Sequence, residues 1–287
     1  MKLCISCHQR FEHDDWHCPH CDFQPGLVQN TPLLAPDLQS GFEAKFFEPL
    51  AKGEQGHFWF EARNKIVLWA LQKYFPQMQS FLEVGCGTGF VLSGIRQAYP
   101  DLSLVGSEIF IEGLEIAKKR LPDIPFIQMD GQKIPYDTEF DVIGSFDVLE
   151  HIADDETVLT EMFKAVKSGG GILLSVPQHP WLWTIVDDYG HHQRRYTRKE
   201  LVSKVTQAGF EVVHVTSFMT FTLPMLLLSR FLTRNQTVET YDASSELQLP
   251  AFVNIMLRTI LRAEGLVIRS KLSLPIGASL LLVAKRP

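Results

Sequence analysis

The sequence lacks an uninterrupted apolar run of the roughly 20 residues that a membrane-spanning helix requires. Its most apolar stretch, 218–232, is interrupted by threonine, proline, serine and arginine, a pattern typical of a buried or interfacial helix. The start of the chain has no apolar segment resembling a secretory signal. These absences predict a cytoplasmic protein without a transmembrane segment.

Positive charge is in deficit, because 27 lysines and arginines face 33 aspartates and glutamates, for a formal net charge of −6. Nucleic-acid partners favour a basic surface, so this balance argues against one, although charge can still be local. Hydrophobic residues make up 45% of the chain and charged residues 21%, which is typical of a globular protein rather than a disordered one. The length of 287 residues suffices for a large domain with a small appendage.

Cysteine is scarce, and four of the five cysteines fall into two C-x-x-C pairs, Cys4 with Cys7 and Cys18 with Cys21. Four thiolates on two short turns suit zinc, and a closed four-ligand site is structural rather than catalytic. Residues 1–30 therefore resemble a zinc ribbon, with His8, His17 or His20 as substitutes for one thiolate. Zinc ribbons bind nucleic acids, contact proteins or only stabilise a fold, so the metal does not indicate a function.

Beyond the ribbon, predicted helices alternate with predicted strands. Helices are predicted over 42–74, 89–99, 111–120 and 154–167, and strands over 80–84, 103–106, 125–129, 141–145 and 171–176. This alternation is typical of a parallel sheet covered on both faces, whose ligands lie at the carboxyl ends of the strands. Two later strands, 211–215 and 278–284, are predicted to close the sheet as an antiparallel hairpin.

The predicted fold is therefore α/β: a Rossmann-like, seven-stranded, mostly parallel sheet with helices on both faces, a small N-terminal zinc ribbon and a helical insertion before the last strand. The large domain is assigned to 42–287 and the insertion to 219–275. The insertion contains an apolar run, a polar stretch over 235–246 and a predicted helix near 252–264. Its apolar helices could form a lipophilic substrate pocket, a dimer surface or a membrane-touching patch, or could add to the core.

A glycine-rich turn follows the first predicted strand, with the sequence E-V-G-C-G-T-G over 83–89. Glycines let the backbone approach a ligand closely. The dinucleotide fingerprint would require glycine at position 90, where this chain has Phe90. Glu108 ends the second strand and could accept the hydroxyl protons of a ribose. Asp130 ends the third, where its carboxylate could bind the adenine amine and the Gly131 amide a ring nitrogen.

The turn resembles the first motif of the class I S-adenosylmethionine-dependent methyltransferases, and the resemblance covers about 42–176. It implies S-adenosylmethionine as the cofactor, and the residues implied to bind it are Glu83, Gly85, Cys86, Gly87, Gly89, Glu108, Ile109, Asp130 and Gly131. Within that set, Cys86 is interpreted as a small filler. The segment F-D-V-L-E-H over 146–151 resembles the quinone-biosynthesis O-methyltransferases, which implies that Phe146 and Asp147 border the cofactor and the methyl-transfer site.

Methyl transfer from a sulfonium requires an aligned acceptor and, for a hydroxyl acceptor, a group that removes its proton. The candidates follow the fourth and fifth strands. His151, His191 and His192 are the predicted catalytic residues, and Trp181, Arg195 and Tyr196 are the predicted substrate-binding residues, with Arg195 for an anionic group. The alternative is a surface loop that leads into a helix capped by Thr197.

The leading hypothesis is O-methylation of a small lipophilic or aromatic acceptor by a methyltransferase that contains structural zinc. Two alternatives stay open: an RNA methyltransferase that uses the ribbon for recognition, and a non-catalytic, partner-binding protein on a methyltransferase scaffold. A homodimer or a peripheral membrane contact through the insertion also stays open.

Overall fold

The computed structural model describes residues 1–13, 15–35, 44–233, 247–270 and 272–287. Two short strands, β1 (Lys2–Leu3) and β2 (Arg10–Phe11), form a separate antiparallel pair. The other strands of the described residues form one sheet: β3 (Gly26–Val28), β4 (Thr31–Leu33), β5 (Ser80–Val84), β6 (Ser103–Glu108), β7 (Phe126–Gln128), β8 (Phe140–Phe146), β9 (Val166–Pro177), β10 (Glu211–Phe218) and β11 (Ser279–Lys285).

The α-helices within the same ranges are α1 (Phe47–Gly53), α2 (Phe58–Tyr74), α3 (Phe90–Ala98), α4 (Ile111–Arg120), α5 (Asp155–Ala165), α6 (Ile185–Tyr189), α7 (Arg198–Gln207), α8 (Leu223–Thr233) and α9 (Ala251–Arg269). Short 3-10 helices cover Ala44–Phe46, Leu149–His151 and Pro180–Leu182. Thr197 caps α7 as predicted, because its side chain accepts a hydrogen bond from the Glu200 amide.

The order of the sheet is β10-β11-β9-β8-β5-β6-β7-β4-β3. The strands from β9 to β4 are parallel, whereas β11 is antiparallel to both of its neighbours. The predicted seven-stranded α/β sheet is confirmed, and the N-terminal hairpin β3–β4 extends it by two strands. Because β5 lies between β6 and β8, the chain reverses direction across the sheet here, and such a reversal opens a crevice at the carboxyl ends of the strands.

The predicted helix over 42–74 is wrong as a single element. Residues 42 and 43 lie outside the described part of the chain, and the rest divides into a 3-10 turn, α1 and α2. Gly56 has a φ of +78°, a backbone conformation that glycine adopts without strain. His57 is extended and accepts a hydrogen bond from the Trp59 amide, which starts α2. Apolar spacing alone did not reveal this break.

The N-terminal segment packs against the sheet instead of standing apart from it. Leu33 of β4 pairs with Gln128 of β7. Gln128 accepts a hydrogen bond from the Ala35 amide at 2.8 Å and donates one to the Ala35 carbonyl at 2.5 Å. The Trp16 ring meets the ring of Tyr136 edge-on, with centroids 5.5 Å apart. The ribbon and the methyltransferase-like sheet therefore share one hydrophobic core.

The helical insertion before the last strand is confirmed in the form of α8 and α9, although Arg234 and the polar stretch 235–246 lie outside the described residues. Leu257 and Leu261 are buried in α9, and Asn254 binds both the Phe58 amide and the Gly56 carbonyl at 2.8 Å. The outer faces keep large apolar side chains, since Phe252 is 76% exposed. Within the described ranges, every helix is too short or too polar to cross a bilayer.

Candidate functional site

The glycine turn between β5 and α3 contains three positive backbone φ angles: +73° at Gly85, +52° at Gly87 and +74° at Gly89. A Cβ atom on Gly85 would lie 2.4 Å from the Val148 side chain, so this glycine is required by the fold itself. A Cβ atom on Gly87 would find no atom nearer than 3.7 Å. Gly87 therefore leaves open space above the turn, where a ligand can approach the backbone.

A buried ion pair fixes the turn from the side of α1. The Thr88 hydroxyl donates to Glu54 Oε1 at 2.5 Å, and Arg120 donates to Glu54 Oε2 at 2.8 Å. Arg120 also binds the Thr88 carbonyl at 3.0 Å. Because Glu54 and Arg120 come from different helices, the turn is held from two sides.

Carboxylates stand at the ends of the next two strands, as predicted from the sequence. Glu108 is buried and accepts hydrogen bonds from the Gly87 amide at 3.0 Å and from the Ile109 amide at 2.7 Å. Burial raises its pKa, and these backbone amides oppose the rise. Asp130 accepts from the Gln132 amide at 2.9 Å through Oδ1. Glu108 therefore lies directly beside the glycine turn.

Glu83 lies at the end of β5 and is only 2% exposed. Its Oε2 atom has no hydrogen-bond partner among the described residues. Burial raises the pKa of this carboxyl to about 8, and the charge of Arg63 counters the rise only partly. A cation beside this buried carboxyl would stabilise its ionised form, so the position suits a cationic ligand. Cys86 lies in the glycine turn, three residues after Glu83. It is buried, and burial raises the pKa of its thiol, which agrees with its interpretation as a small filler.

Phe146 ends β8 and Asp147 follows it, at the carboxyl end of the strand. Asp147 has a φ of +57° and accepts hydrogen bonds from Arg63 at 2.7 Å and from the Ser175 hydroxyl at 3.1 Å. The Arg63 guanidinium also lies over the Trp59 ring, 4.5 Å from its centroid. The aromatic stretch at the start of α2 thus reaches the carboxyl end of β8.

Two of the three predicted catalytic histidines come together. The ring centroids of His151 and His192 are 4.7 Å apart, and ligand atoms of both, with one from Glu150, lie within 4.8 Å of one another. Burial, and next the charge of His192, lower the pKa of His151 to about 3. His151 is therefore a neutral imidazole near pH 7. The third, His191, is exposed in a left-handed turn with a φ of +55° and is not part of this group.

A buried carboxylate that sequence reasoning missed organises the loop around His192. Asp187 is fully buried and accepts from Arg195 Nε at 2.7 Å and from the Thr184 amide at 2.8 Å. His192 Nδ1 lies 2.9 Å from Asp187 Oδ1. Burial works to raise the pKa of Asp187, but the His192 bond and the Arg195 charge together lower it. This carboxylate therefore faces Nδ1 of His192 and holds the imidazole ring in place.

The expected substrate contacts of Arg195 and Tyr196 need correction. The charge of Arg195 is neutralised by Asp187, and its NH1 group donates to the Gln178 carbonyl at 3.3 Å. Tyr196 is 0% exposed and donates to Asp155 at 2.6 Å. Both side chains therefore make their polar contacts within the protein, because buried polar groups need hydrogen-bond partners. Trp181 is 60% exposed, and its contact with a substrate stays a prediction.

The four N-terminal cysteines converge as the zinc hypothesis requires. The Sγ atoms of Cys4 and Cys21 are 3.6 Å apart, and those of Cys7 and Cys18 are 3.7 Å apart. Tetrahedral zinc with Zn–S bonds of about 2.3 Å separates its sulfurs by about 3.8 Å. The sulfur positions therefore fit a structural zinc ion, whose charge would hold the four thiolates together.

Sequence reasoning also missed Glu54, Arg63 and Glu150 as members of the site. Glu54 and Arg63 precede the glycine turn in sequence. The high aromatic content of 56–64 is a sequence signal for Arg63, whereas Glu54 directly follows α1 and has no such signal. Glu150 was read within F-D-V-L-E-H but received no role. Each of these roles depends on a partner that only the folded chain brings near.

Comparison with known proteins agrees with this geometry. A family model described as "Methyltransferase domain" matches residues 50–215. A demethylmenaquinone methyltransferase from Renibacterium salmoninarum is 31% identical over 103 residues, which cover 36% of this chain and 43% of that protein. A malonyl-[acyl-carrier protein] O-methyltransferase from Priestia megaterium is 22% identical over 124 residues, covering 42% of this chain and 45% of that protein.

The similarity to these two curated relatives spans less than half of their own length. A solved structure is similar over a larger share of this chain. Phosphoethanolamine N-methyltransferase 2 from Haemonchus contortus, in complex with S-adenosyl-L-methionine, has a TM-score of 0.57 at 16% identity. The match covers 85% of this chain and 57% of that one, and at this identity it supports the fold.

Proposed function

We propose, from the premise that this chain belongs to the methyltransferase-domain family, that it transfers a methyl group from S-adenosylmethionine to an oxygen of a small lipophilic or aromatic acceptor. The observation that supports this most directly is the open glycine turn bordered by the buried carboxylates of Glu83 and Glu108. S-adenosylmethionine carries a sulfonium and an ammonium, so buried acids beside the turn suit it electrostatically.

The cofactor is bound by residues at the ends of three strands. Gly85, Gly87 and Gly89 line the methionine part, while Glu108 and Ile109 bind the ribose side and Asp130 and Gly131 the adenine side. When bound, the cofactor supplies an electrophilic methyl group. The chain itself aligns the acceptor and excludes water, which lowers the entropic cost of reaching the transition state.

The acceptor is proposed to lie between Asp147 and the histidines His151 and His192. Asp147 is held by Arg63 and Ser175, and His192 is oriented by Asp187, so the groups around the acceptor are positioned before it binds. A histidine near an acceptor hydroxyl can help it lose its proton, although its low pKa makes His151 a weak base. The similarity to demethylmenaquinone methyltransferases supports a lipophilic acceptor.

Calorimetric titration with S-adenosylmethionine, followed by methyl-transfer assays on a set of lipophilic phenols, tests the proposal. We expect saturable binding at one site and transfer to at least one phenolic oxygen. Absence of cofactor binding would favour the non-catalytic alternative. Tight binding of RNA that weakens with salt, together with transfer to RNA, would favour the RNA methyltransferase.

Replacing Gly87 by alanine should weaken cofactor binding at least about tenfold while leaving the fold in place. The added methyl group meets no protein atom within 3.7 Å, so it occupies ligand space, and the positive φ adds strain of about 1–2 kcal/mol. Gly169→Ala is the matched control, because Gly169 also has a positive φ, +79°, its Cβ would meet nothing within 4 Å, and it lies in β9. Calorimetry and thermal unfolding measure the two effects, and equal cofactor affinity in Gly87→Ala and wild type would contradict the assignment.

Cofactor affinity should rise with pH through the pKa of Glu83, which lies near 8. Below that value the carboxyl is protonated, and a cationic ligand then binds only with loss of that proton. The expected slope is at most tenfold per pH unit, since one proton is released. Calorimetry between pH 6 and about 8.5 measures the slope, and Glu83→Gln should flatten it. An equal slope in both proteins would remove Glu83 from this role.

A further inference from the structure

Beside the proposed acceptor position, Glu150, His151 and His192 turn ligand atoms toward one another. These atoms lie within 4.8 Å of each other, in a part of the chain far from the four cysteines in sequence. Glu150 and His151 belong to the 3-10 helix after β8, whereas His192 comes from the loop after α6. The Gln193 amide donates to the Glu150 carbonyl at 2.7 Å, which fixes the loop against the 3-10 helix.

Glu150 gives the cluster an unusual buried acid. It is 1% exposed, and its Oε2 atom has no hydrogen-bond partner within the described ranges. The charges of Asp147, Arg195 and Arg63 lie near this carboxyl. A buried carboxyl oxygen without a partner loses the hydrogen bonds that water would give it. A cation bound at this position would supply the missing partner.

The two histidines present the donors that a cation requires. His151 is partly buried, and its ring interacts with the backbone of Gly190. His192 is held through Nδ1 by Asp187 at 2.9 Å. This carboxylate–imidazole arrangement is the one that orients metal-binding histidines and leaves Nε2 for the metal.

We propose that Glu150, His151 and His192 bind a divalent transition-metal cation, with open coordination positions facing the acceptor. Two imidazoles and one carboxylate suit Mn²⁺, Fe²⁺, Co²⁺ or Zn²⁺ rather than the soft metals that thiolates select. At metal–ligand distances of about 2.1 Å, donor atoms lie roughly 3–4.2 Å apart, so small side-chain rotations complete the site. The catalytic role of this cation site rests on the proposed function, but binding of the cation can be measured without the acceptor.

The cation would lower the pKa of an acceptor hydroxyl beside it, because its charge stabilises the oxygen anion that remains when the proton passes to solvent. The oxygen keeps the electron pair of the broken O–H bond, and no oxidant or reductant takes part. The favoured acceptors are therefore phenols, catechols or enols, whose oxygen can lie against the cation. His151 and His192 then activate the acceptor through the cation rather than by taking the proton directly.

Titration of the zinc-loaded full chain with Mn²⁺, followed by electron paramagnetic resonance of the free ion, tests the site. We expect one additional Mn²⁺ per chain, and at least tenfold weaker binding in both Glu150→Gln and His192→Gln. Because Glu150 is buried, circular dichroism and thermal unfolding verify that its variant folds, and the less buried His192 provides the second variant. Glu156→Gln, an exposed acid on α5, is the matched control and should bind Mn²⁺ as wild type does.

No Mn²⁺ binding beyond weak surface association, or equal binding in wild type and both site variants, would overturn the cation site. Cofactor binding measured on the same samples separates the two proposals. Normal S-adenosylmethionine binding without Mn²⁺ binding removes only the cation, whereas absent cofactor binding with retained Mn²⁺ binding removes the proposed function. Methyl transfer that does not fall when Mn²⁺ and its competitors are chelated, while zinc stays bound, would also remove the cation from catalysis.

Discussion

Replacing Cys18 by serine is expected to release the structural zinc, lower Tm by about 10 °C and weaken S-adenosylmethionine binding about tenfold. The apparent binding energy of structural zinc is about 10–16 kcal/mol, and in small metal sites that energy also holds the fold. Cys18 is buried in the same core as residues of the parallel sheet. Loss of the metal should therefore destabilise the packing of the parallel sheet as well as the ribbon.

The effect on the cofactor follows from contacts between the hairpin β3–β4 and the edge of the sheet. Gln128 pairs with Leu33, hydrogen-bonds Ala35 and donates to the Ile109 carbonyl at 3.0 Å. Ile109 follows Glu108, and the Met129 amide donates to the Glu108 carbonyl at 3.0 Å. A loosened hairpin would therefore disturb Glu108, the carboxylate proposed to bind the ribose, through the contacts of Gln128.

Zinc content, thermal unfolding and calorimetry on the same samples separate these effects. His20→Ala is the matched control, because His20 is an exposed histidine beside the cysteines that could have replaced a thiolate. It should retain zinc and cofactor affinity. Full zinc content in Cys18→Ser would contradict the four-thiolate site. Loss of zinc with unchanged cofactor affinity would contradict the coupling while leaving the metal site in place.

Asp187→Ala is expected to lower the free energy of unfolding by about 3–5 kcal/mol and to reduce methyl transfer at least a hundredfold. The variant leaves the buried guanidinium of Arg195 without its counter-charge, which is the costly way to break a buried ion pair. It also removes the acceptor that orients His192. Because the folded-state pKa of Asp187 lies below its unfolded value, its contribution to stability is present above the unfolded pKa and is lost as the pH falls through the folded one.

The titration of Asp187 should therefore leave the loss of unfolding free energy in Asp187→Ala constant between pH 5 and about 8, and urea unfolding measures this loss. Asp188→Ala is the control, because the neighbouring aspartate is exposed and its side chain accepts a hydrogen bond from the Trp183 indole at 2.9 Å. We expect it to change stability by no more than about 0.5 kcal/mol. An Asp187→Ala protein as stable as the control would show that Arg195 finds another partner, and the buried ion pair would lose its assigned role.

Much of the fold could be predicted from the sequence because its central strands are local apolar runs that end in polar or glycine residues. The turn after β5 could also be recognised from the local sequence, because its glycines stand at the positions where the backbone φ is positive. The edge hairpin was not predicted. Thr31–Leu33 is a three-residue strand with no periodicity of its own, and it is defined by pairing with β7.

The candidate site was predictable where a residue acts from its own strand end, as at Glu108 and Asp130. It was not predictable where a side chain takes its role from a distant partner. Arg195 and Tyr196 have the composition of ligand-binding residues, yet Asp187 and Asp155 bind them inside the fold. Burial of a charged residue is a tertiary property, and nothing in the local sequence D-D-Y-G-H-H distinguishes the buried Asp187 from the exposed Asp188.

The pairing of β4 with β7 also constrains the order in which the chain can assemble during synthesis. Leu33 leaves the ribosome roughly a hundred residues before Gln128, its partner in the sheet. The cysteines, in contrast, lie close together in sequence and can capture a metal early. The N-terminal hairpin would then wait until β7 emerges, because β7 is its partner in the sheet and follows β5 and β6 in the chain. We therefore expect metal supply during translation to affect the yield of folded protein.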